Sequence, residues 1–284
     1  MANGSTTIAE TTAAPEIVIR PARWAPLRLS EIWEYRELLY FLTKRQIQVR
    51  YKQSFFGIAW AVLQPLVLTF VFALFLGRLA RVGSEGLPYP VFAITAFVPW
   101  LFFSQSVTES ARSLVAESQL VSKVFFPRIV IPLSRVLSLL VDLIIALGVV
   151  VIFILLYGVQ LDAAAPLLPL FLVLAFIAAV GIGVLLAALN VRYRDIQVVT
   201  PLLVMLWLFA TPVVYPSSLV TGAWEYVYAL NPLVAVIEGV RWTLVGTAPP
   251  DPAVVGISVA VAVLLLGVGA LYFSRTQRSF ADII

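Results

Sequence analysis

The 284-residue sequence has no cysteine and no histidine. Without cysteine there is no disulfide, no thiolate nucleophile and no zinc–sulfur site, and without histidine there is no imidazole base or histidine metal ligand. These absences exclude a Ser-His-Asp triad and argue against most hydrolytic and redox chemistry. We therefore expect no catalytic residue and no metal site in this chain.

Charged residues are also scarce. They make up 12% of the chain, about half of the ~25% that is typical of soluble domains. Hydrophobic residues make up 61%. A soluble globule of this size could not keep so much apolar surface away from water, so the composition indicates an integral membrane protein.

Long stretches between charges predict the membrane spans. Each is longer than the roughly 20 residues that a helix needs to cross the hydrocarbon, and none alternates as a barrel strand does. The stretches are 53–77, 86–108, 136–161 (interrupted only by Asp142), 163–191, 196–224 and 253–274. We predict an all-α membrane protein with six spans at about 57–77, 91–112, 132–157, 167–189, 197–215 and 253–274, within a permease domain at 53–275.

Basic residues predict the orientation. With both termini in the cytosol, only Arg78, Arg81 and Arg241 of the 19 Lys and Arg residues fall outside, as the positive-inside rule requires. Residues 1–26 contain no apolar core, so we expect no signal peptide and a flexible cytosolic tail over 1–28. Residues 276–284 would form the cytosolic C-terminus.

The segment 226–247 is apolar but carries Glu238, Arg241 and an Asn231-Pro232 break. Two charges at mid-bilayer would cost ~2.5–3.5 kcal/mol each, and a further span would place the C-terminus outside. We therefore predict a re-entrant helix pair at about 217–246, between spans five and six. Glu238 and Arg241 are three residues apart and can pair on one helix face.

Before the first span, residues 29–50 have apolar residues at helical spacing and basic residues at the far end. The pattern predicts an amphipathic helix along the cytosolic membrane face, either a surface anchor alone or also a docking surface for a partner or an anionic headgroup.

No nucleotide-binding motif is visible. The chain lacks a G-x-x-x-x-G-K-[ST] sequence, and the Gly181 and Gly183 pair lies within a span, where small residues favour close helix packing. Asp142 is the only acid within a predicted span, and we interpret it as capped or paired near the cytosolic interface, near Arg135. The sequence thus predicts a transport pathway that is either passive or energised by a separate subunit.

Six strings in chain order carry a resemblance to a known family. They are RYKQSFFGIAWAVLQPLVL (50–68), LPYPVFAITAFVPWLFF (87–103), SQLVSKVFFPRIVIPLSRVLSLLVD (118–142), NVRYRDI (190–196), LFATPVVYPSS (208–218) and LNPLVAVIEGVRWTLVG (230–246). Together they resemble type-2 ABC exporter permeases that move polysaccharides, over roughly residues 30–275. The O-antigen and teichoic-acid branch is the most similar.

The resemblance implies a homodimer of six-helix permeases that binds a separate nucleotide-binding subunit, in a complex of two copies of each. The cargo would be a lipid-linked glycan, such as O-antigen or teichoic acid, carried across the bacterial inner membrane. This chain would bind no cofactor of its own, since ATP and Mg would belong to the partner. Membrane lipids are the other expected contact, and nucleic acid is not.

Aromatic side chains are candidates for a glycan channel, because sugar C–H faces pack on rings. We select Phe56, Trp60, Trp100, Trp207 and Tyr215, although aromatic residues also occur at membrane interfaces for other reasons.

Two further groups are candidates for binding. Arg45, Arg50 and Lys52 would bind a lipid pyrophosphate, or would serve only as a topology signal. Lys123, Phe125, Phe126 and Arg128 would dock the partner subunit as a hydrophobic knob with a basic rim, or would form a plain cytosolic loop.

Three other functions stay open. The chain could be an ABC permease for drugs or small lipids, or a stand-alone secondary carrier or channel, although we see neither internal repeats nor intramembrane charge clusters. A membrane-bound glycosyltransferase would need an acid or metal constellation, which the sequence does not offer.

Overall fold

The computed structural model describes residues 29–52, 56–277 and 280, and the predicted N-terminal tail at 1–28 lies outside them. The described residues are helical apart from turns and loops, which confirms the all-α class. The helices are α1 (Leu29–Glu34), α2 (Arg36–Lys52), α3 (Ala59–Phe72, continued by a π-helical turn at Ala73–Leu79), α4 (Tyr89–Ala116), α5 (Ser118–Lys123), α6 (Val130–Leu156), α7 (Leu168–Arg192), α8 (Ile196–Phe209), α9 (Ala223–Tyr228), α10 (Pro232–Val245) and α11 (Pro252–Thr276).

Five of these helices are long and apolar enough to cross a membrane: α3 with its π-helical turn, α4, α6, α7 with the short 3₁₀ turn before it, and α11. The helix at the predicted fifth span, α8, has 14 residues, which gives a length of about 21 Å at 1.5 Å per residue. This is shorter than the ~30 Å hydrocarbon core. The count of six spans therefore stays a prediction.

Helix α4 lies at the centre of the bundle, where it contacts α3, α6, α7, α8 and α10. Its apolar side chains, including Phe92, Phe97 and Phe103, are fully buried. In contrast, only Pro65 and Thr69 are buried in α3 before its π-helical turn. The outer surface of α3 is apolar, so lipid or another protein chain must cover it.

Glycines bring α7 and α11 into backbone contact. A Cβ atom on Gly181 of α7 would lie 2.6 Å from the backbone nitrogen of Leu266, and one on Gly269 of α11 would lie 2.4 Å from the Gly181 carbonyl oxygen. A Cβ atom on Gly183 would lie 2.8 Å from the Cβ atom of Ser110 on α4. The prediction that the Gly181 and Gly183 pair serves close helix packing is thus confirmed.

Helix α10 is buried although it is short. It contacts α7, α4 and α11, and almost all of its residues are buried. Its first turn follows the usual rules, because the Asn231 side chain accepts a hydrogen bond from the backbone N–H of Leu233 and Pro232 occupies the first helical position. The bundle therefore encloses α10, and the re-entrant arrangement of this segment stays a prediction.

Candidate functional site

A cavity of about 540 Å³ lies between α3, α4, α6 and α8, and the last turn of α2 bounds it at one end. It lies in the half of the bundle that carries α2, the end predicted to be cytosolic. Its walls are mainly apolar and aromatic, and its polar groups concentrate near α2. The polar and aromatic lining residues are Arg50, Tyr51, Trp60, Gln64, Trp100, Phe102, Ser104, Gln105, Thr108, Glu109 and Asp142.

Two of the predicted channel aromatics line this cavity. Trp60 on α3 is 53% exposed, whereas Trp100 on α4 is 4% exposed. Phe56 meets the Trp60 ring edge-on, at 5.6 Å between ring centroids. The structure therefore brings Phe56, Trp60 and Trp100 to one region, with Trp60 as the most open ring.

The other two predicted aromatics lie elsewhere. Trp207 on α8 lines a separate, open cavity of about 680 Å³ with Trp224, Tyr228 and Asn231. The Tyr215 hydroxyl donates to the Phe209 carbonyl at 2.9 Å and lies 2.8 Å from the Tyr228 hydroxyl. The five aromatics thus do not share one cavity within a single chain, because the face of α8 that lines the main cavity carries Pro201, Val204 and Leu208 and not Trp207.

An ion pair lies at the α2 end of the main cavity, which we call the mouth of the cavity. The Arg50 guanidinium contacts one carboxylate oxygen of Asp142 on α6, and the Tyr51 hydroxyl donates to the other. Asp142 is therefore paired, as expected, but its partner is Arg50 and not Arg135. Tyr51 is a functional candidate that the sequence analysis missed, since nothing in the spacing of two residues 91 positions apart predicts their contact.

A pair of amides lies further inside the cavity. Gln105 on α4 donates to the side-chain oxygen of Gln64 on α3 at 2.8 Å. Ser104 and Thr108 on α4 also face the cavity, although their hydroxyls donate to carbonyls one turn earlier. Amide side chains offer both donors and acceptors, so Gln64 and Gln105 can bind hydroxyl-rich ligands beside the Trp60 ring. The sequence analysis did not select either glutamine.

The predicted lipid-binding cations do not form one cluster. Arg50 alone of the three lines the main cavity. Arg45 points toward Glu117 at 3.2 Å, while Lys52 is exposed. Because Arg45 already has a carboxylate partner outside the cavity, the prediction of a shared anion site now rests on Arg50.

Glu117 connects the end of α4 to two other helices. Its carboxylate accepts from Arg45 and Gln46 on α2 and from Arg135 on α6, at 3.2, 3.4 and 3.1 Å. Arg135 also lies 3.7 Å from Glu109. These contacts hold α2 against α4 and α6 at the predicted cytosolic end.

The predicted docking loop separates its two phenylalanines. Phe125 is 96% exposed, whereas Phe126 is 6% exposed and belongs to the hydrophobic core. Arg128 donates to the Gln277 carbonyl, and Lys123 is exposed. The prediction that Phe126 contacts a partner is corrected, because this side chain faces the bundle and leaves Phe125 as the ring that a partner can reach.

The charges of the predicted re-entrant pair are arranged differently from the prediction. Arg241 is 2% exposed, its guanidinium lies 3.5 Å from the centroid of the Phe92 ring, and it donates to the carbonyls of Val213 and Phe92 at 2.8 and 3.4 Å. Glu238 forms no ion pair within 4 Å of Arg241 among the described residues, so the expected direct pair is wrong. Both residues line a polar cavity of about 210 Å³ at the end of the bundle opposite α2.

The five long apolar helices define a multi-pass membrane protein. The chain belongs to the ABC-2 type transporter family, whose family model matches residues 37–245. The matched region includes α2, the main cavity and α10.

Curated relatives narrow the class. The chain is 31% identical over 257 residues to the O-antigen export system permease protein RfbA of Myxococcus xanthus, which covers 89% of this chain and 98% of that protein. It is 29% identical over 249 residues to the O-antigen export system permease protein RfbA of Klebsiella pneumoniae, covering 87% and 95%. It is also 24% identical over 200 residues to the polysialic acid transport protein KpsM of Escherichia coli, covering 68% and 76%.

Proposed function

We propose that this chain is the permease subunit of an ATP-driven exporter that moves a lipid-linked polysaccharide across the bacterial inner membrane, with both termini in the cytosol. The observation that carries the proposal is the main cavity, where the open Trp60 ring lies near the Gln64 and Gln105 amides and the Arg50 mouth. The O-antigen permeases of M. xanthus and K. pneumoniae, which match nearly the whole chain, support the same cargo class. O-antigen, teichoic acid and related surface glycans are all compatible with these residues.

The cavity combines the two kinds of contact that a sugar chain needs. The Trp60 ring offers an apolar face for sugar C–H groups, and Trp100 contributes only a small part of the lining. Gln64 and Gln105 offer donors and acceptors for hydroxyl groups. C–H faces and hydroxyl groups occur on every sugar of a glycan, so these contacts do not select one particular sugar. They therefore suit a polymer that moves through the cavity.

Arg50 is our candidate for binding the lipid pyrophosphate at the mouth. A guanidinium can bind phosphate oxygens in a two-pronged fork, which an ammonium group cannot reproduce. Arg50 lies where α2 approaches the first span, near the expected depth of a headgroup. Arg45 and Lys52 would add positive potential outside the cavity.

Two partners complete the exporter in this proposal. The first is a second copy of the chain, since the exposed apolar surfaces of α3 and α8 flank the cavity and need a cover. The second is a nucleotide-binding subunit, which would bind ATP and Mg because this chain has no P-loop motif. Phe125 and the exposed side of α2 are the surfaces that we propose for its docking.

Reconstitution tests the proposal. We would place the chain in proteoliposomes with its proposed ATPase partner, and supply membranes that contain a polyisoprenyl-pyrophosphate glycan. We expect ATP-dependent movement of glycan into a compartment where an added glycosidase cannot cut it, and no movement with an ATPase subunit that cannot hydrolyse ATP. ATP-dependent movement of small amphiphiles without any movement of glycan would contradict the assigned cargo.

A further inference from the structure

The charged residues at the mouth of the main cavity do not favour an anion in the state that the structure describes. Among the described lining residues, Arg50 is the cation, and its guanidinium already contacts the Asp142 carboxylate. An entering pyrophosphate would therefore meet a mouth whose positive charge is already neutralised. Since the proposed cargo carries such a group, this arrangement needs a physical explanation.

The partners of these groups identify which contact has to change. Glu109 is occupied outside the cavity, because it pairs with Arg112 and lies 3.7 Å from Arg135. Asp142, in contrast, uses one carboxylate oxygen for Arg50 and the other for the Tyr51 hydroxyl. Arg50 is thus the cation that an anion in the cavity can reach, and Asp142 is the group that it has to replace.

The pair has a clear role when the cavity is empty. An isolated charge at membrane depth is costly, and such charges are usually paired within the protein. In the empty cavity, the Asp142 carboxylate neutralises Arg50 and so lowers the free-energy cost of its charge. A pyrophosphate carries more charge than one carboxylate and can bind the guanidinium in a fork, so it can take over the arginine.

We infer that Asp142 is an exchangeable counter-ion, which holds Arg50 in the empty cavity and gives it up to the pyrophosphate of a lipid-linked substrate. Asp142 then sets the threshold for entry, because a ligand without a strong anion cannot displace it. The inference deepens the proposed function and rests on it for the identity of the lipid. It assigns a specificity-determining role to a residue for which sequence analysis suggested only a structural one.

The exchange also has a mechanical consequence. Arg50 and Tyr51 lie on the last turns of α2, and Asp142 lies on α6, so the pair is a contact between these two helices. Transfer of Arg50 to a headgroup weakens that contact. Binding of cargo therefore loosens the contact of α2 with α6, and α2 is the helix that we propose as part of the docking surface.

Binding of two lipids tests the role of Asp142. The purified chain in nanodiscs would be titrated with a long-chain polyisoprenyl pyrophosphate and with the uncharged polyisoprenol of the same length. We expect Asp142→Asn to bind the pyrophosphate lipid about tenfold more tightly than the wild type, the size of one partly buried charge pair, and to bind the polyisoprenol unchanged. Arg50→Gln should bind both lipids equally.

The double variant Arg50→Gln/Asp142→Asn separates a local exchange from a general charge effect. If Asp142 acts through Arg50, the double variant should show no gain over Arg50→Gln alone. A gain that persists without Arg50 would overturn the inference. Glu37→Gln is the matched control, because it removes an exposed carboxylate from the same helix that does not line the cavity, and it should leave both affinities unchanged.

Further arms keep the test decisive. Asp142→Ala gives the same readout should Asp142→Asn fail to accumulate, and thermal unfolding verifies that each variant is folded. Inorganic pyrophosphate is titrated in parallel, and affinity equal to that of the lipid would assign the site to a soluble anion and overturn the lipid assignment. Unchanged or weaker lipid binding by folded Asp142 variants refutes the counter-ion role even if the exporter moves glycan as proposed.

Discussion

The contact between α7 and α11 allows a sharp test of the packing, by placing one methyl group at each of two glycines on the same helix. In Gly269→Ala the new Cβ would lie 2.4 Å from the Gly181 carbonyl oxygen, whereas in Gly267→Ala no atom lies within 4 Å of it. The carbonyl belongs to the backbone of α7 and cannot rotate away. The first variant must therefore push the two helices apart, and the second need not move anything.

The magnitudes follow from two opposing terms. Alanine gains about 0.8–1 kcal/mol over glycine inside a helix, and that gain applies to both variants. Overpacking a well-filled contact costs roughly 1–3 kcal/mol, and that cost applies only to Gly269→Ala. We therefore expect the free energies of unfolding to differ by about 2 kcal/mol between the variants, with Gly267→Ala equal to or more stable than the wild type.

Thermal unfolding of the purified chain in detergent measures this difference. At roughly 2–4 °C per kcal/mol for a chain of this size, the two melting temperatures should lie about 4–8 °C apart. Gly181→Ala should lower the melting temperature as Gly269→Ala does, because its Cβ would lie 2.6 Å from the Leu266 nitrogen. Equal melting temperatures for the Gly267 and Gly269 variants would refute the packing argument.

Three further predictions concern the candidate sites. Phe125→Ala should weaken assembly with the ATPase subunit in a pull-down without changing the melting temperature, and a normal pull-down would contradict the docking role. Phe126→Ala should instead lower the free energy of unfolding by about 3–5 kcal/mol, because it empties a core position. Trp60→Leu removes the ring face but keeps an apolar side chain, so reconstituted glycan export should fall severalfold while the melting temperature stays near that of the wild type; full export would mean that Trp60 only packs. Arg50→Lys keeps the charge but not the fork, so protease accessibility should show normal orientation while export falls; normal export by Arg50→Lys, with misoriented insertion of Arg50→Gln, would reduce Arg50 to a topology signal.

Hydropathy predicted the helices well where charges bound them on both sides. The run at 196–224 is the exception. Its helix ends at Phe209, well before the next charge, Glu225, closes the run. The chain turns at Thr211 and Pro212, and proline lacks the N–H that a helix interior needs. A count based on charge gaps cannot detect such a stop, which explains why the predicted fifth span is longer than α8.

Contacts between distant segments were beyond prediction from one sequence. Arg50 and Asp142 are 92 positions apart, and the charge nearest to Asp142 along its own helix is Arg135, which the structure pairs with Glu109 and Glu117. Phe125 and Phe126 are adjacent and chemically identical, so only the path of the loop decides which ring faces the core. The role of Gly181 and Gly183 was easier to predict, because small residues inside an apolar helix usually let a neighbouring helix approach closely.

Arg241 shows how a residue that conflicts with a local rule can serve the fold. The spacing to Glu238 favoured an ion pair on one helix face, but the guanidinium instead donates to the Val213 and Phe92 carbonyls and lies against the Phe92 ring. Val213 follows the end of α8, where the backbone leaves helical geometry and its carbonyl loses an intrahelical donor. Val213 is fully buried, so its carbonyl cannot turn to water and a donor has to come from the protein. Arg241 on α10 supplies this donor. The buried arginine on α10 thus compensates for the hydrogen bond that is lost where α8 ends.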